Sequence, residues 1–201
     1  MKIIVFGGTF DPVHNGHIKL ARSAKNMLRA DKVLLIPAAV SPHKSHTTTA
    51  SAQDRLEMLR LATANEPDIQ ISDLEIKRPP PSYTWDTIQS LQKQFPTDDF
   101  VLLIGADQLP KLHTWHKIGE LLAAVKTAVL PREGTFIEEN PPDKSLAPWW
   151  PEIKKNVLEL SKIDISATDI RQRVAKGLSI HGLVHPDVER YIEERHLYAV
   201  V

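Results

Sequence analysis

His14 and His17 stand three residues apart in the segment Gly7-Gly8-Thr9-Phe10-Asp11-Pro12-Val13-His14-Asn15-Gly16-His17, between a short apolar run and a stretch of helical period. The chemistry these residues suit is anion binding. A helix N-terminus offers unpaired backbone N–H groups and the positive end of the helix dipole. Gly7 and Gly8 let the backbone come close to a ligand, and Gly16 does the same at the helix entry. Two histidines at this spacing face the same anion when the turn between them is helix-like. Each can donate an N–H to charge developing on a phosphoryl oxygen. Gly-Gly after a strand is by itself an ordinary tight turn, and a histidine at a helix start an ordinary cap. Their order at one strand-to-helix switch points to a nucleotide site. Asp11 is read as a structural residue that ties down the turn, and Phe10 as a packing residue.

A second strand-to-helix corner, Ile165-Ser166-Ala167-Thr168-Asp169-Ile170-Arg171, has the same physical character. Ser166 or Thr168 serves as N-cap. Arg171 lies in the first helical turn, where a guanidinium opposes the dipole, so its placement suggests an anion or an acidic partner nearby. Lys44, in Ser41-Pro42-His43-Lys44, follows the second strand, on the sheet edge where open α/β folds bind ligands. No GxxxxGK[ST] loop is present, which disfavours a P-loop kinase or ATPase.

The elements that must carry these groups alternate strand-length apolar runs with helical segments, the pattern of a mostly parallel α/β sheet with helices on both faces. Strands are expected at Ile3–Phe6, Lys32–Ile36, Phe100–Ile104 and Val125–Leu130, with short candidates at Ile69–Ile71, Leu74–Ile76 and Ile163–Ile165. Helices are expected from about Gly16 to Arg29, with Ile18, Ala21, Met27 and Leu28 inward, and at Gln53–Asn65, Thr84–Phe95, Thr168–Lys176 and Pro186–Arg195. From Arg132 to about Leu160 the pattern is lost among four prolines around Trp149-Trp150, and a packed surface loop is expected. Residues 1–201 read as one domain.

Lysine plus arginine equals aspartate plus glutamate at 25 each, so there is no global basic field for nucleic acid, and any bound anion must be held locally. The absence of cysteine removes disulfides, thiolate nucleophiles and cysteine-bound zinc, and fits a reducing compartment. No apolar run approaches the roughly 20 residues of a membrane span, and the N-terminal run is too short for a signal peptide. A cytoplasmic protein with no membrane partner is expected, with association into a homo-oligomer left open.

The first corner resembles the GTFDPxHxGH signature of the HxGH nucleotidyltransferase superfamily, which carries it on a Rossmann-like sheet. The resemblance implies ATP phosphate contacts for His14 and His17, and ATP-binding roles for Gly7, Gly8, Thr9 and Phe10. The second corner is similar to that superfamily's ISSTxxR motif, with Ser166, Thr168 and Arg171 matching and Ala167 in place of the second serine. The lysine of a PHK element corresponds to Lys44, so His14, His17, Lys44 and Arg171 become the catalytic candidates. Ser82-Tyr83-Thr84-Trp85-Asp86-Thr87 resembles the SYTxxT element of bacterial nicotinate-nucleotide adenylyltransferases. Ile104-Gly105-Ala106-Asp107 and Trp115-His116 resemble their IGAD and WH elements. The similarity runs from Lys2 through Tyr198, outside the segment from Arg132 to Leu160. It implies nucleotide contacts at Gly105 and Asp107 and an acceptor site at Tyr83, Thr84 and Trp115.

A flat cationic pyridinium suits the face of Trp115, through stacking and cation–π attraction. Thr84 and the amides that begin its helix are the candidate donors to a carboxylate. The activity implied is adenylyl transfer from ATP, carried with Mg²⁺, to nicotinate mononucleotide, with no metal site of the protein's own. The alternatives are an adenylyltransferase for nicotinamide mononucleotide or another phosphorylated acceptor, and a non-catalytic ATP sensor.

Overall fold

A computed structural model describes residues 1–39, 50–131, 138–160 and 164–199. Five parallel strands form one sheet: β1 (Lys2–Gly8), β2 (Lys32–Pro37), β3 (Ile69–Ile71), β4 (Asp99–Gly105) and β5 (Lys126–Leu130), in spatial order β3-β2-β1-β4-β5. The chain therefore winds outward one way from β1, returns, and adds β4 and β5 on the other side. Neighbouring β1 and β4, with Val5 opposite Leu102, flank the switch point where such sheets bind ligands.

Burial on both faces explains the continuous apolar runs. Ile4, Phe6, Val33, Leu35, Val101 and Leu103 enter one core, while Ile3, Val5, Ile36, Phe100, Leu102 and Ile104 enter the other. Helices α1 (Asn15–Leu28), α2 (Ala52–Thr63), α6 (Ala167–Ala175) and α7 (Pro186–Glu194) contribute to the first core. Helices α3 (Thr84–Gln94), α4 (Ile118–Ala124) and α5 (Trp150–Lys155) contribute to the second. None of the helices among the described residues is long and apolar enough to cross a membrane.

Four expectations are corrected. Leu74–Ile76 is a turn, with Glu75 buried and its apolar neighbours only half-buried, the reverse of a core-facing strand. Asp164 and Ile165 are outside any strand, and Ile163 lies outside the described residues; the chain instead makes an isolated parallel bridge from Val157 to Val129. Met27 is 44% exposed, because the buried stripe of α1 runs Ile18, Ala21, Ala24 and about 100° per residue carries Met27 off it. The segment expected to be irregular contains a 3₁₀ turn (Lys144–Leu146) and α5, with Leu146, Trp150 and Ile153 in the second core. A further 3₁₀ segment, Ala106–Thr114, leads out of β4.

Candidate active site

The first corner is built around a helix cap made of two histidines. His14 is the N-cap of α1, and its Nδ1 accepts from the His17 backbone N–H at 3.3 Å, while the His14 N–H donates to His17 Nδ1 at 3.2 Å. This is the reciprocal arrangement of a capping box. The two rings stack with centroids 3.6 Å apart and planes 24° from parallel. Because each Nδ1 accepts a backbone proton, each neutral ring carries its own proton on Nε2. The cap thus fixes the tautomer of both rings, giving two Nε2–H donors on stacked rings. His14 is buried and His17 half-buried. Asn15, between them, is fastened from outside: its N–H donates to the Leu183 carbonyl at 2.9 Å and its side-chain amide to the Gly182 carbonyl at 2.9 Å.

The two glycines have separate reasons to be glycine. A Cβ on Gly7 would meet nothing within 4 Å, which leaves room for a ligand. A Cβ on Gly8 would lie 3.0 Å from the Phe10 ring, so the space at Gly8 is taken by the protein itself. Phe10 is only 2% exposed and packs edge-on to Phe6 and His17, from a backbone with φ of 50°. Any contact from Phe10 to a ligand is therefore confined to its backbone. Asp11 is structural, and its partners lie far from its own turn in sequence: its buried Oδ1 accepts from the Tyr198 hydroxyl at 2.8 Å and the Ala50 N–H at 3.3 Å.

The second corner meets the first. Arg171 Nη1 donates to the Asp11 carbonyl at 2.7 Å across 160 residues of sequence, and its Nη2 approaches Thr168 Oγ1 at 3.4 Å. Ser166, rather than Thr168, is the N-cap of α6, accepting from the Asp169 N–H at 3.2 Å. Ser166 and Thr168 are exposed. Lys44 lies outside the described residues. Half-buried Thr9 follows β1, and exposed Asp107 opens the 3₁₀ segment after Gly105, at the end of the neighbouring strand β4.

A third group gathers at the start of α3. Tyr83, its N-cap, gives no side-chain cap bond, and its ring stacks on His116 at 4.4 Å between centroids. Thr84, the first residue of α3, follows it, and Trp115 is half-buried against the second core. Beneath them Thr87 donates to buried Glu75 at 2.7 Å, and Arg78 donates to both Thr87 Oγ1 at 3.1 Å and the Tyr83 carbonyl at 3.2 Å. Burial raises Glu75 above the ordinary carboxylate range, against the lowering effect of its bond from Thr87 and of Arg78. The groups are joined through the end of β2: the Ala38 N–H donates to the Gly8 carbonyl at 2.9 Å, and the Ala39 N–H to Ser82 Oγ at 3.1 Å.

Sequence reasoning missed Asn15, Arg55, His116 and Tyr198. Asn15 and His116 sat inside recognised motifs, where a side chain able to hydrogen-bond or stack was the available signal. Arg55 reads as one more charge on a helix, and Tyr198 lies 187 residues from its partner Asp11; neither carries a local signal.

A parallel sheet of this order, with an HxGH corner at its switch point, defines the nucleotidyltransferase class of Rossmann-like folds. The cytidylyltransferase-like family model matches residues 5–173, and the chain belongs to that family. It is 40% identical over 199 residues to the probable nicotinate-nucleotide adenylyltransferase of Exiguobacterium sibiricum, covering 99% of this chain and 100% of the relative. It is 37% identical over 201 residues to the protein of the same name from Neisseria meningitidis, with 98% of each covered. Among solved structures it resembles the Plasmodium falciparum nicotinic acid mononucleotide adenylyltransferase complexed with NaAD, with a TM-score of 0.78 over 98% of this chain and 97% of that one. Identity there is 20%, so this likeness speaks to the fold alone.

Proposed function

We propose that this protein transfers the adenylyl group of ATP to nicotinate mononucleotide, releasing pyrophosphate and nicotinate adenine dinucleotide. The observation that carries the reading is the Arg171–Asp11 bond, which brings the late corner onto the early one beside the stacked histidines. The names carried by relatives at 37–40% identity support the choice of acceptor.

In this reading an oxygen of the acceptor's 5′-phosphate attacks the α-phosphorus in line. The bond from that phosphorus to the oxygen bridging α and β breaks, and its electron pair leaves with pyrophosphate. A phosphate oxygen is already anionic at neutral pH, so the step requires no general base and no covalent enzyme intermediate. The protein's task is alignment and charge stabilisation. The Nε2–H groups of His14 and His17 donate to the phosphates, joined by Lys44 and Arg171, with Ser166 and Thr168 adding hydroxyls. Gly7, Gly8, Thr9 and Phe10 contribute backbone, and Gly105 and Asp107 meet the nucleotide, with Asp107 accepting from ribose hydroxyls. Among the described residues no group of three or more His, Cys, Asp or Glu could hold a metal ion. Mg²⁺ enters as part of the MgATP substrate, on phosphate oxygens and water.

Trp115 and the Tyr83–His116 stack offer aromatic surface for the pyridinium. Thr84 and the first amides of α3 face the acceptor's carboxylate, which is what separates nicotinate from nicotinamide. The full chain works as one domain, in the cytoplasm. Incubation with ATP and a panel of acceptors, followed for dinucleotide and pyrophosphate, tests the reading. Equimolar products with nicotinate mononucleotide preferred are expected. A preference for nicotinamide mononucleotide overturns the acceptor, and ATP binding without any product overturns the chemistry in favour of a sensor.

A further inference from the structure

Arg55, in α2, has 0% of its surface exposed and is the bulkiest side chain so enclosed among the described residues. Its Nη1 donates to the Thr9 carbonyl at 2.7 Å and its Nη2 reaches the Ala39 carbonyl at 3.4 Å. Thr9 follows β1 and Ala39 follows β2, so one guanidinium spans the ends of two adjacent strands under the phosphate corner. Burial works against its charge, opposed first by Asp11 and then by Tyr198. Those same two residues share the 2.8 Å bond that anchors the corner from the C-terminal side.

Stability of the fold is a poor explanation for this arrangement. Desolvating a guanidinium is costly, and a well-packed apolar residue of similar volume often holds a core at least as well. What the guanidinium fork supplies, and an apolar residue cannot, is a direction for the carbonyls it binds. In a trans peptide the C=O of one residue and the N–H of the next point to opposite sides. Drawing the Thr9 carbonyl inward to Arg55 therefore turns the Phe10 N–H away from the guanidinium, although the Phe10 ring itself is locked in the core. The positive charge also balances the Asp11 carboxylate beneath a loop that is to receive a polyanion.

We infer that Arg55 is a positioning residue for ATP: through the Thr9–Phe10 peptide it aims a backbone N–H at the triphosphate, and it offsets the charge of Asp11 below. The inference rests on the reading above that the first corner holds the triphosphate. The shorter bond goes to Thr9, so the ATP side feels its loss more than Ala39 and the acceptor side do.

The test is equilibrium titration of the full chain with a non-hydrolysable ATP analogue and, separately, with nicotinate mononucleotide, with thermal unfolding as a check on folding. Arg55→Met is expected to weaken analogue binding about tenfold or more, and acceptor binding by less than about threefold. Arg55→Lys keeps the charge and one donor to Thr9, and is expected to recover at least about threefold of that loss. Tyr198→Phe removes one bond to Asp11 with little change of shape, and is expected to weaken the analogue about threefold. A folded Arg55→Met protein that binds the analogue like wild type overturns the inference, as does an equal loss for both ligands. If Arg55→Met does not fold, Arg55→Gln, which removes the charge, takes its place, and unchanged analogue affinity in that variant overturns the inference. The titration needs no turnover. Failure of wild type to make dinucleotide therefore counts against the proposed activity, and the ratio of the two affinities still decides the role of Arg55.

Discussion

The corner at the start of α1 and the corner at the start of α3, proposed above to hold the phosphates and the acceptor, are held in different ways. At the first, polar contacts fix the backbone above the packed Phe10 ring: a cap of two histidines on α1, a buried arginine on the Thr9 carbonyl, a tyrosine and a late arginine on Asp11. At the second, an aromatic layer, Tyr83 on His116 and Trp115 against the core, lies over the Glu75–Thr87–Arg78 hydrogen bonds, and α3 begins with no side-chain cap. The difference matches the ligand proposed for each. A polyanion aligned for in-line transfer needs donors fixed in direction. A flat ring needs a surface, and a lone carboxylate needs helix amides that no side chain has claimed.

The sharpest way to break this comparison is at the histidine cap, where the largest effect is expected. His17→Ala should lower kcat by on the order of 10²–10³ in a folded protein, as loss of one transition-state donor does. His17→Asn separates the two jobs of that ring. Its side-chain oxygen can still accept the His14 N–H, but nothing reaches the position of Nε2. The cap, read by thermal stability, should survive while turnover does not. Wild-type turnover by His17→Asn would show that the ring is only a cap.

Gly8→Ala probes the packing under the same corner. The added Cβ meets the Phe10 ring, which is enclosed and cannot swing out, so a stability cost of about 1–3 kcal/mol in denaturant unfolding is expected. The same change at Gly7 meets nothing within 4 Å. It should leave stability nearly intact and show its effect in ATP affinity. At the acceptor corner, Trp115→Ala should raise KM for nicotinate mononucleotide about tenfold with KM for ATP changed far less. Equal changes would mean that Trp115 supports the fold and not the ring.

The smallest effect is expected beneath the acceptor corner. Burial raises Glu75 above its ordinary value of 4.5. The stability that its neutral form contributes is fully present below that value and is lost as pH rises through the raised one. Glu75→Gln keeps the neutral shape and the bond from Thr87. The variant should therefore melt above wild type at neutral pH and converge with it in acid. A variant less stable than wild type at neutral pH would show that the ionised Glu75 is needed by Arg78.

Strands β1, β2, β4 and β5 were legible because burial on both faces leaves near-continuous apolar runs. Helices α1, α2 and α3 were legible from their period. The segment after β4 was not, because Pro110 interrupts a 3₁₀ spiral whose apolar residues Leu109 and Leu112 do not repeat long enough to register. Helix α4 is only seven residues and starts after Lys117 at φ of 51°. At the candidate site, sequence named only the residues that stand in motifs, buried His14 and Phe10 among them. Arg55, Tyr198 and Glu75 form the layer behind, fixed by tertiary burial, where a charge pattern on one helix or turn says nothing of what lies opposite. Leu74–Ile76 shows the trap directly: its alternation mimics a strand because the inward residue is the glutamate.

The central claim is that two corners 160 residues apart serve one triphosphate. A crystal structure with a non-hydrolysable ATP analogue and nicotinate mononucleotide measures this most directly. The account predicts the Nε2 atoms of the stacked histidines and the Arg171 guanidinium on oxygens of the same triphosphate, with the pyridine ring at Trp115. A triphosphate that touches only one corner, or lies away from both, would contradict it.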